Sequence, residues 1–316
     1  MILNGMAGRV ERNYPLHQLT SWKIGGPAEA VYWPPTIEDL VTVWQHAQQA
    51  QIPVWLIGRG SNLLISDEGL PGIVLMTTAL RAIQWKDYKV QVEAGYPLAR
   101  LAQEAGERGW SGLEFARGIP GSVGGAVVMN AGAHGGEMAP LIRSVTGLRA
   151  DGTIKKFGRS ELEFAYRSCS LRGQAWVLET ELEFLAGDRE QILKNMKENI
   201  IRRTANQPLE KPNAGSVFRN PPGDSAGRLI EAAGWKGKSI GGAQVSTKHA
   251  NFIVNTGNAK AKDVRALMEN IQRDVQVKYG ITLVTEVAYL SRGTYEEARG
   301  SRHEARIEGE QSSQND

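Results

Sequence analysis

RGIPGSVGGAVVMNAGAHGG, residues 117–136, decides how the rest of the chain is read. Seven of its twenty residues are glycine. Glycine loses the most backbone freedom on folding, so such a density needs a reason. Close approach of backbone to a bulky ligand, with N–H groups left free for phosphate oxygens, supplies one. A second small-residue turn, GRGSN at 58–62, follows the apolar run 53–57. Two such turns suggest a ligand with more than one part to grip, such as a dinucleotide. No G-x-G-x-x-G occurs, so a Rossmann nicotinamide site is not indicated.

Composition sets the class around these turns. The 316 residues suffice for two to three domains, and 41% hydrophobic with 22% charged residues is ordinary for a soluble globular protein. A net charge of +3, with no long basic run, gives no case for nucleic acid. The N-terminal segment lacks the apolar core of a signal peptide, and no apolar run is long enough for a membrane span. A lone cysteine, Cys169, excludes an internal disulfide and fits a reducing compartment. Five scattered histidines and no cysteine pair point to no metal site.

Hydrophobic periodicity orders the elements. Residues 37–49 read as a helix, 53–57 as a strand, 89–94 as a strand and 97–108 as a helix with Pro97 in its first turn. Residues 178–184 alternate as a half-exposed strand. The character changes after Gly187-Asp188, where a domain boundary is expected. The first unit is then 1–187, with subdomains at about 16–80 and 81–187, and the second is 188–291. The second unit reads as helices at 188–205, 225–233 and 261–279 and strands at 251–255 and 281–290. Arg202-Arg203 sit at the end of the first of these helices, where cations suit the dipole. Residues 292–316 carry almost nothing apolar and read as a disordered tail.

Several residues invite chemistry. GKSIG at 237–241 resembles a nucleophile elbow, and AAGWKGKS at 232–239 is one glycine short of a P-loop. Both patterns require a preceding strand, and a helix stands there instead, so the segment reads as a helix C-cap and loop. Ser216 lies in KPNAGSVFRNPP, a stretch fenced by prolines and expected to be stiff and extended. It is either a turn residue bonding its own backbone or a hydroxyl held between Asn213 and Asn220. Glu286 falls within ITLVTEVAYL, with Val284, Ala288 and Leu290 as expected face-mates. It is either an edge ion pair or a site carboxylate with a raised pKa. Arg167 either pairs with Glu161 or Glu163 at the surface or clamps an anion with its planar fork. His134 is either a loop histidine or a flavin attachment point, and Cys169 reads as a small packing residue.

Seven blocks occur in order from about Leu16 to Leu290: LTSWKIGGPAEA, GRGSNLLISD, GIPGSVGGAVVMNAGAHG, YRSCS, NAGSVFRNP, GGAQVSTKHANFIVN and TEV. Together they resemble the UDP-N-acetylenolpyruvoylglucosamine reductase (MurB) family of peptidoglycan precursor synthesis. The resemblance implies an α+β fold. An FAD-binding domain of the vanillyl-alcohol-oxidase (PCMH) type, in two subdomains, precedes a C-terminal α+β substrate-binding domain. It implies non-covalent FAD, with NADPH as co-substrate and a UDP-sugar as substrate. The pyrophosphate and ribityl parts would be held by Gly58, Arg59, Gly60, Ser61, Asn62 and Leu63. The second stretch would add Gly118, Ile119, Pro120, Gly121, Ser122, Gly124, Gly125, Asn130, Gly132 and Ala133. Ser216 maps to the family's proton donor, and Arg167 and Glu286 to its enolate-stabilising pair. Tyr166, Asn220 and His249 match positions near the sugar nucleotide. Cys169 stands where the family often has serine. The short connection between Gly187 and Lys211 implies the subtype without a substrate-capping insertion. A cytoplasmic monomer is expected. The competing readings are a flavin oxidase of the same cofactor fold, with His134 carrying the flavin, and a nucleotide-binding module without catalysis.

Overall fold

The structure, a computed structural model, describes residues 2–3 and 5–293. The expected tail falls almost wholly outside the described residues. The first layer is a four-stranded sheet in the order Arg9–Pro15, Pro27–Trp33, Leu70–Met76, Val54–Ile57. Its first pair is antiparallel and the other two are parallel. Helix α1, Ile37–Gln49, covers it. Leu40, Val43, Trp44 and Ala47 are buried, the stripe that a 3.6-residue repeat turns to one face. Thr36 caps α1 by accepting from the Asp39 N–H at 3.1 Å.

The second layer is a five-stranded antiparallel sheet in the order Ile154–Gly158, Ile142–Arg149, Ala175–Glu183, Lys89–Glu93, Ile83–Lys86. Helix α2, Leu98–Glu107, lays Leu98, Leu101, Ala102 and Ala105 against its core. Pro97 is the N-cap of α2 rather than a first-turn residue. Helix α3, Val123–Val128, grows out of the glycine-dense stretch.

Helix α4, Arg189–Asn206, begins at Asp188, whose side chain accepts from the Gln191 N–H at 2.7 Å. Its buried residues, Ile192 and Met196, join the core that holds Leu101 and Ala105. Gly106 leaves room for this, since a Cβ there would sit 2.8 Å from Met196 Cε. By packing, α4 belongs with the first unit, and the boundary expected near Gly187 moves to the end of α4. The charge pattern change at 188 marks an exposed helix, not a new core.

The last unit carries α5, Ala226–Ala232, and α6, Ala261–Tyr279, over a three-stranded sheet of Ser239–Ile240, Ala243–Val245 and Ile253–Asn255. Gly280 closes α6 with φ +67, a left-handed cap that glycine adopts without strain. Six residues of α6 are buried, including Leu267, Met268 and Ile271, each worth about 1.5–3 kcal/mol of transfer free energy. Trp22 and Leu64 of the first unit enter this same core. Trp22 Nε1 donates to the Ile253 carbonyl at 2.8 Å, and Asn255 Nδ2 donates to the Trp22 carbonyl at 3.0 Å. Asp67 accepts from the Ala261 and Lys262 N–H groups at 2.8 and 3.1 Å, so the first unit caps α6.

The strand expected over 281–290 is corrected to Ala288–Leu290, which pairs in parallel with Leu63–Ile65. Upstream of it, the chain exchanges single bonds with the Ser216 segment. Arg219 N–H donates to the Val284 carbonyl at 2.9 Å, and Glu286 N–H donates to the Val217 carbonyl at 2.8 Å. Val284 is 55% exposed, while Leu283 and Val287 are buried, so the expected apolar face does not form.

Candidate active site

A cavity of about 650 Å³ runs between the two glycine turns and reaches Arg167, Ser216 and Glu286. That size lies within the ~300–1,000 Å³ range of small-molecule sites. The turn at 58–62 forms one wall. No backbone N–H of Arg59, Gly60, Ser61 or Asn62 donates to a described residue. Gly121 and Gly125 on the facing wall also carry undonated N–H groups. Gly60 is buried while Arg59 and Gly125 are open to the cavity side, and six unpaired N–H groups around one cavity form a donor set for anionic oxygens.

The glycines divide by what their missing side chain serves. Gly60, at φ +60, would drive a Cβ into the Leu19 carbonyl oxygen, and Gly124 would place one 2.8 Å from Ala94 Cβ. These serve the fold. A Cβ on Gly121 would come no closer than 3.4 Å to a protein atom, and on Gly125 no closer than 3.7 Å. Nothing in the protein requires glycine there, so the bare backbone is accounted for by a ligand's approach. The donors and the cradle fit an FAD pyrophosphate and ribityl chain.

Arg167 occupies a two-residue hairpin turn between Phe164–Ala165 and Ser168–Cys169, at φ +56. A non-glycine residue in this region costs of the order of 1–3 kcal/mol and persists where surroundings hold it. Here Arg167 Nε donates to Glu286 Oε1 at 3.0 Å and Nη2 to the Gly132 carbonyl at 2.7 Å. Neither surface alternative takes it: Glu161 pairs with Lys155 at 2.9 Å, and the ion pair of Arg167 is with Glu286 rather than Glu163. Gly132 is held bare by its hairpin partner, since a Cβ would lie 2.6 Å from the Gly136 carbonyl oxygen, with Arg167 Nη1 further off at 3.2 Å. Asn130 holds the same hairpin by donating to the Ala165 carbonyl at 3.1 Å.

Burial pushes the Glu286 carboxyl above its ordinary pKa, and the positive charges of Arg167 and Arg219 oppose this. Its backbone carbonyl accepts from Asn62 Nδ2 at 3.0 Å, which joins the glutamate to the cofactor turn. Ser216 follows Gly215, whose φ is +80, so the segment turns rather than running extended as its prolines suggest. Asn213 makes that turn, accepting from Gly215 N–H at 2.9 Å. Buried Asn251 fixes the far side, bonding both the N–H and the carbonyl of Phe218. The Ser216 hydroxyl lines the cavity and bonds to no described residue.

Of the expected cofactor residues, all line the cavity except Gly118 and Asn130. Gly118 packs under Arg203, whose Cδ would lie 2.9 Å from an added Cβ. Tyr166, Asn220 and His249 lie off the cavity lining. Tyr166 is 49% exposed with the Arg167 guanidinium 5.1 Å from its ring centroid. Asn220 Oδ1 caps α5 by accepting from Ala226 N–H at 3.0 Å. His249 Nδ1 accepts from Asn251 N–H at 3.2 Å, and burial lowers its pKa. Cys169 is buried in the core of the second layer, with its thiol pKa raised by burial. Sequence reasoning missed Arg203, Gln207 and Arg172 on the lining; only the first carried a signal, as a helix-end cation.

Fold and site together define a flavoprotein built on an FAD-binding module, and residues 28–158 match the FAD binding domain family. Residues 207–290 match the C-terminal domain of UDP-N-acetylenolpyruvoylglucosamine reductase. The chain belongs to the UDP-N-acetylenolpyruvoylglucosamine reductase (MurB) family. It is 46% identical over 282 residues to UDP-N-acetylenolpyruvoylglucosamine reductase 2 of Symbiobacterium thermophilum, covering 89% of this chain and 92% of that one. It is 45% identical over 288 residues to the reductase of Synechococcus elongatus, covering 89% and 94%. The crystal structure of the MurB enzyme of Thermus caldophilus superposes with a TM-score of 0.77 at 39% identity, covering 90% of this chain and all of the other. Among the described residues no helix is long and apolar enough to cross a membrane.

Proposed function

We propose that this chain is a UDP-N-acetylmuramate dehydrogenase. It reduces the enolpyruvyl ether of UDP-N-acetylglucosamine with NADPH and works as a cytoplasmic monomer. Bound FAD, once reduced by NADPH, supplies the hydride that adds to the C3 methylene of the substrate. The protein's part is to hold charge and deliver a proton. Arg167 presents its guanidinium to the substrate carboxylate and holds it while negative charge builds at C2. Glu286 orients the Arg167 guanidinium and, where protonated, donates a hydrogen bond to the same charge. Ser216 gives its hydroxyl proton to C2. A serine is a weak acid, so it serves a strongly basic enolate and is reprotonated from solvent.

One observation carries this reading. Three side chains from segments far apart in sequence, Arg167, Ser216 and Glu286, meet on the lining of the cavity whose other wall is the anion-binding cradle. The lone buried cysteine supports a reducing compartment. Ser216→Ala tests the proposal. The variant should keep the FAD spectrum and its bleaching by NADPH yet lose turnover of the enolpyruvyl substrate. Turnover near the wild-type rate removes Ser216 from the proton step.

A further inference from the structure

We propose that Arg219 is a positioning residue for the charge and proton work of the site, acting through Arg167 and Glu286 rather than on substrate or cofactor. The proposal rests on the reductase reading of the site and goes beyond it by adding a residue that does not line the cavity. Arg219 follows Ser216 on the same segment and reaches both of its partners. Residues 217–219 run antiparallel to 284–286, with Phe218 opposite Thr285. Residues two apart share a face, so Arg219 and Glu286 are diagonal neighbours, a spacing that a long side chain spans. Arg219 Nη2 also donates to the Arg167 carbonyl at 3.4 Å. That distance is long for such a bond, and the guanidinium charge strengthens it.

Stability does not explain this arrangement. Glu286 gives its ion pair to Arg167, and Arg219 enters none among the described residues. Arg219 Nε is buried without a hydrogen-bond partner, and an unmet buried donor works against folding. The result is a second cation beside one carboxylate. Arg167 and Glu286 alone would make a closed, neutral pair. With Arg219 there are two positive groups to one ionised carboxylate, so the cluster stays attractive to a second carboxylate entering the cavity. Arg167 and Arg219 are the two charges that act on Glu286, and both oppose the effect of its burial. The Arg167 turn needs holding as well. Asn130 ties its first arm at the Ala165 carbonyl, and Arg219 ties the peptide that follows Arg167, whose φ is +56. A side chain in that left-handed region persists where its surroundings hold it. Arg167 belongs to the first unit and Arg219 to the last, so the tie sets the guanidinium against the serine segment.

Arg219→Gln and Arg219→Lys test the proposal in FAD-loaded protein, with Glu286→Gln as control. Flavin bleaching by NADPH and turnover of the enolpyruvyl substrate are measured. The Glu286 carboxyl is titrated by carbon NMR of glutamate-labelled protein, its signal being the one that Glu286→Gln removes. Arg219→Gln should bleach as wild type does, lose about 10- to 100-fold in kcat and keep KM within about threefold, the mark of misplaced rather than missing contacts. Its Glu286 carboxyl should titrate at higher pH than in wild type, because a charge that opposed burial is gone. Arg219→Lys should keep the wild-type titration and recover most of kcat. Wild-type kcat and titration in Arg219→Gln overturn the proposal. So does a lowered unfolding temperature with the Glu286 titration unmoved, which would make Arg219 a structural tie. A loss confined to KM overturns it too, by making Arg219 a substrate ligand. If Arg219→Gln does not fold, Arg219→Met, which keeps the apolar stem, carries the same test. A wild-type protein that bleaches with NADPH yet never turns over the enolpyruvyl substrate would instead sink the reductase reading beneath the proposal.

Discussion

Replacing Gly125 with alanine sets the needs of the fold against the needs of the ligand. Gly125 lies within α3 and its added Cβ would approach no protein atom closer than 3.7 Å. Alanine costs less entropy than glycine in a helix, so the apoprotein should gain about 0.5–1 kcal/mol. That corresponds to a rise in unfolding temperature of ~1–4 °C at roughly 2–4 °C per kcal/mol. The same methyl projects into the cavity, where overpacking costs about 1–3 kcal/mol. The FAD Kd should rise about 5- to 150-fold at 1.4 kcal/mol per decade. Thermal unfolding of apoprotein gives the first number, and quenching of flavin fluorescence on reconstitution gives the second. An apoprotein that is stabilised while binding FAD as before would refute the assignment of Gly125 to the cofactor. A destabilised apoprotein would refute the claim that the fold does not need glycine there.

Gly60→Ala should behave oppositely, lowering apoprotein stability by at least ~1–2 kcal/mol, because its left-handed φ and the Leu19 carbonyl both resist a side chain. Asp67→Ala removes the acceptor for two N–H groups of α6 and should cost about 0.5–2 kcal/mol in denaturant unfolding, with the visible FAD spectrum kept. Glu286 has a folded-state pKa above its ordinary 4.5, so its stabilising contribution is complete below that value and is lost as pH rises through the folded one. Unfolding temperatures of wild type and Glu286→Gln should therefore differ by a constant at low pH and diverge in the variant's favour above pH 4.5. Acid precipitation of the FAD-loaded protein should leave a colourless pellet, and a yellow one would make His134 a covalent attachment point.

The amphipathic helices were legible to the residue, because α1 and α6 carry their apolar stripe within one continuous segment and end on clear signals. Glycine density located the cofactor walls but could not sort their glycines. Whether a Cβ at Gly118 meets Arg203 or a ligand depends on a helix some 80 residues away, and no local pattern encodes that. The segment 281–287 misled for a related reason. Its alternation suggested one sheet partner, yet the chain bonds first to the Ser216 segment and only then to Leu63–Ile65. Glu286 is half-buried because Arg167 and the cavity wall cover it, not because Val284 lies beside it. The pairing of Arg167 with Glu286 came from the resemblance alone, as did Tyr166, Asn220 and His249. The latter three contribute to packing, a helix cap and a turn in ways that only the tertiary neighbours reveal.

Parallel pairing of Leu63–Ile65 with Ala288–Leu290 puts the site under the direction of protein synthesis. Asn62 and Glu286 bond across 224 residues. At about 5–20 residues per second, some 11–45 s separate their emergence from the ribosome. During that interval the strand behind the cofactor turn presents an unpaired edge, and the glutamate of the site does not yet exist. A nascent chain can close its first core around α1 without acquiring a finished cofactor wall. Any truncation ahead of residue 288 would be frozen in that state, with a sticky strand edge beside the turn that holds the flavin.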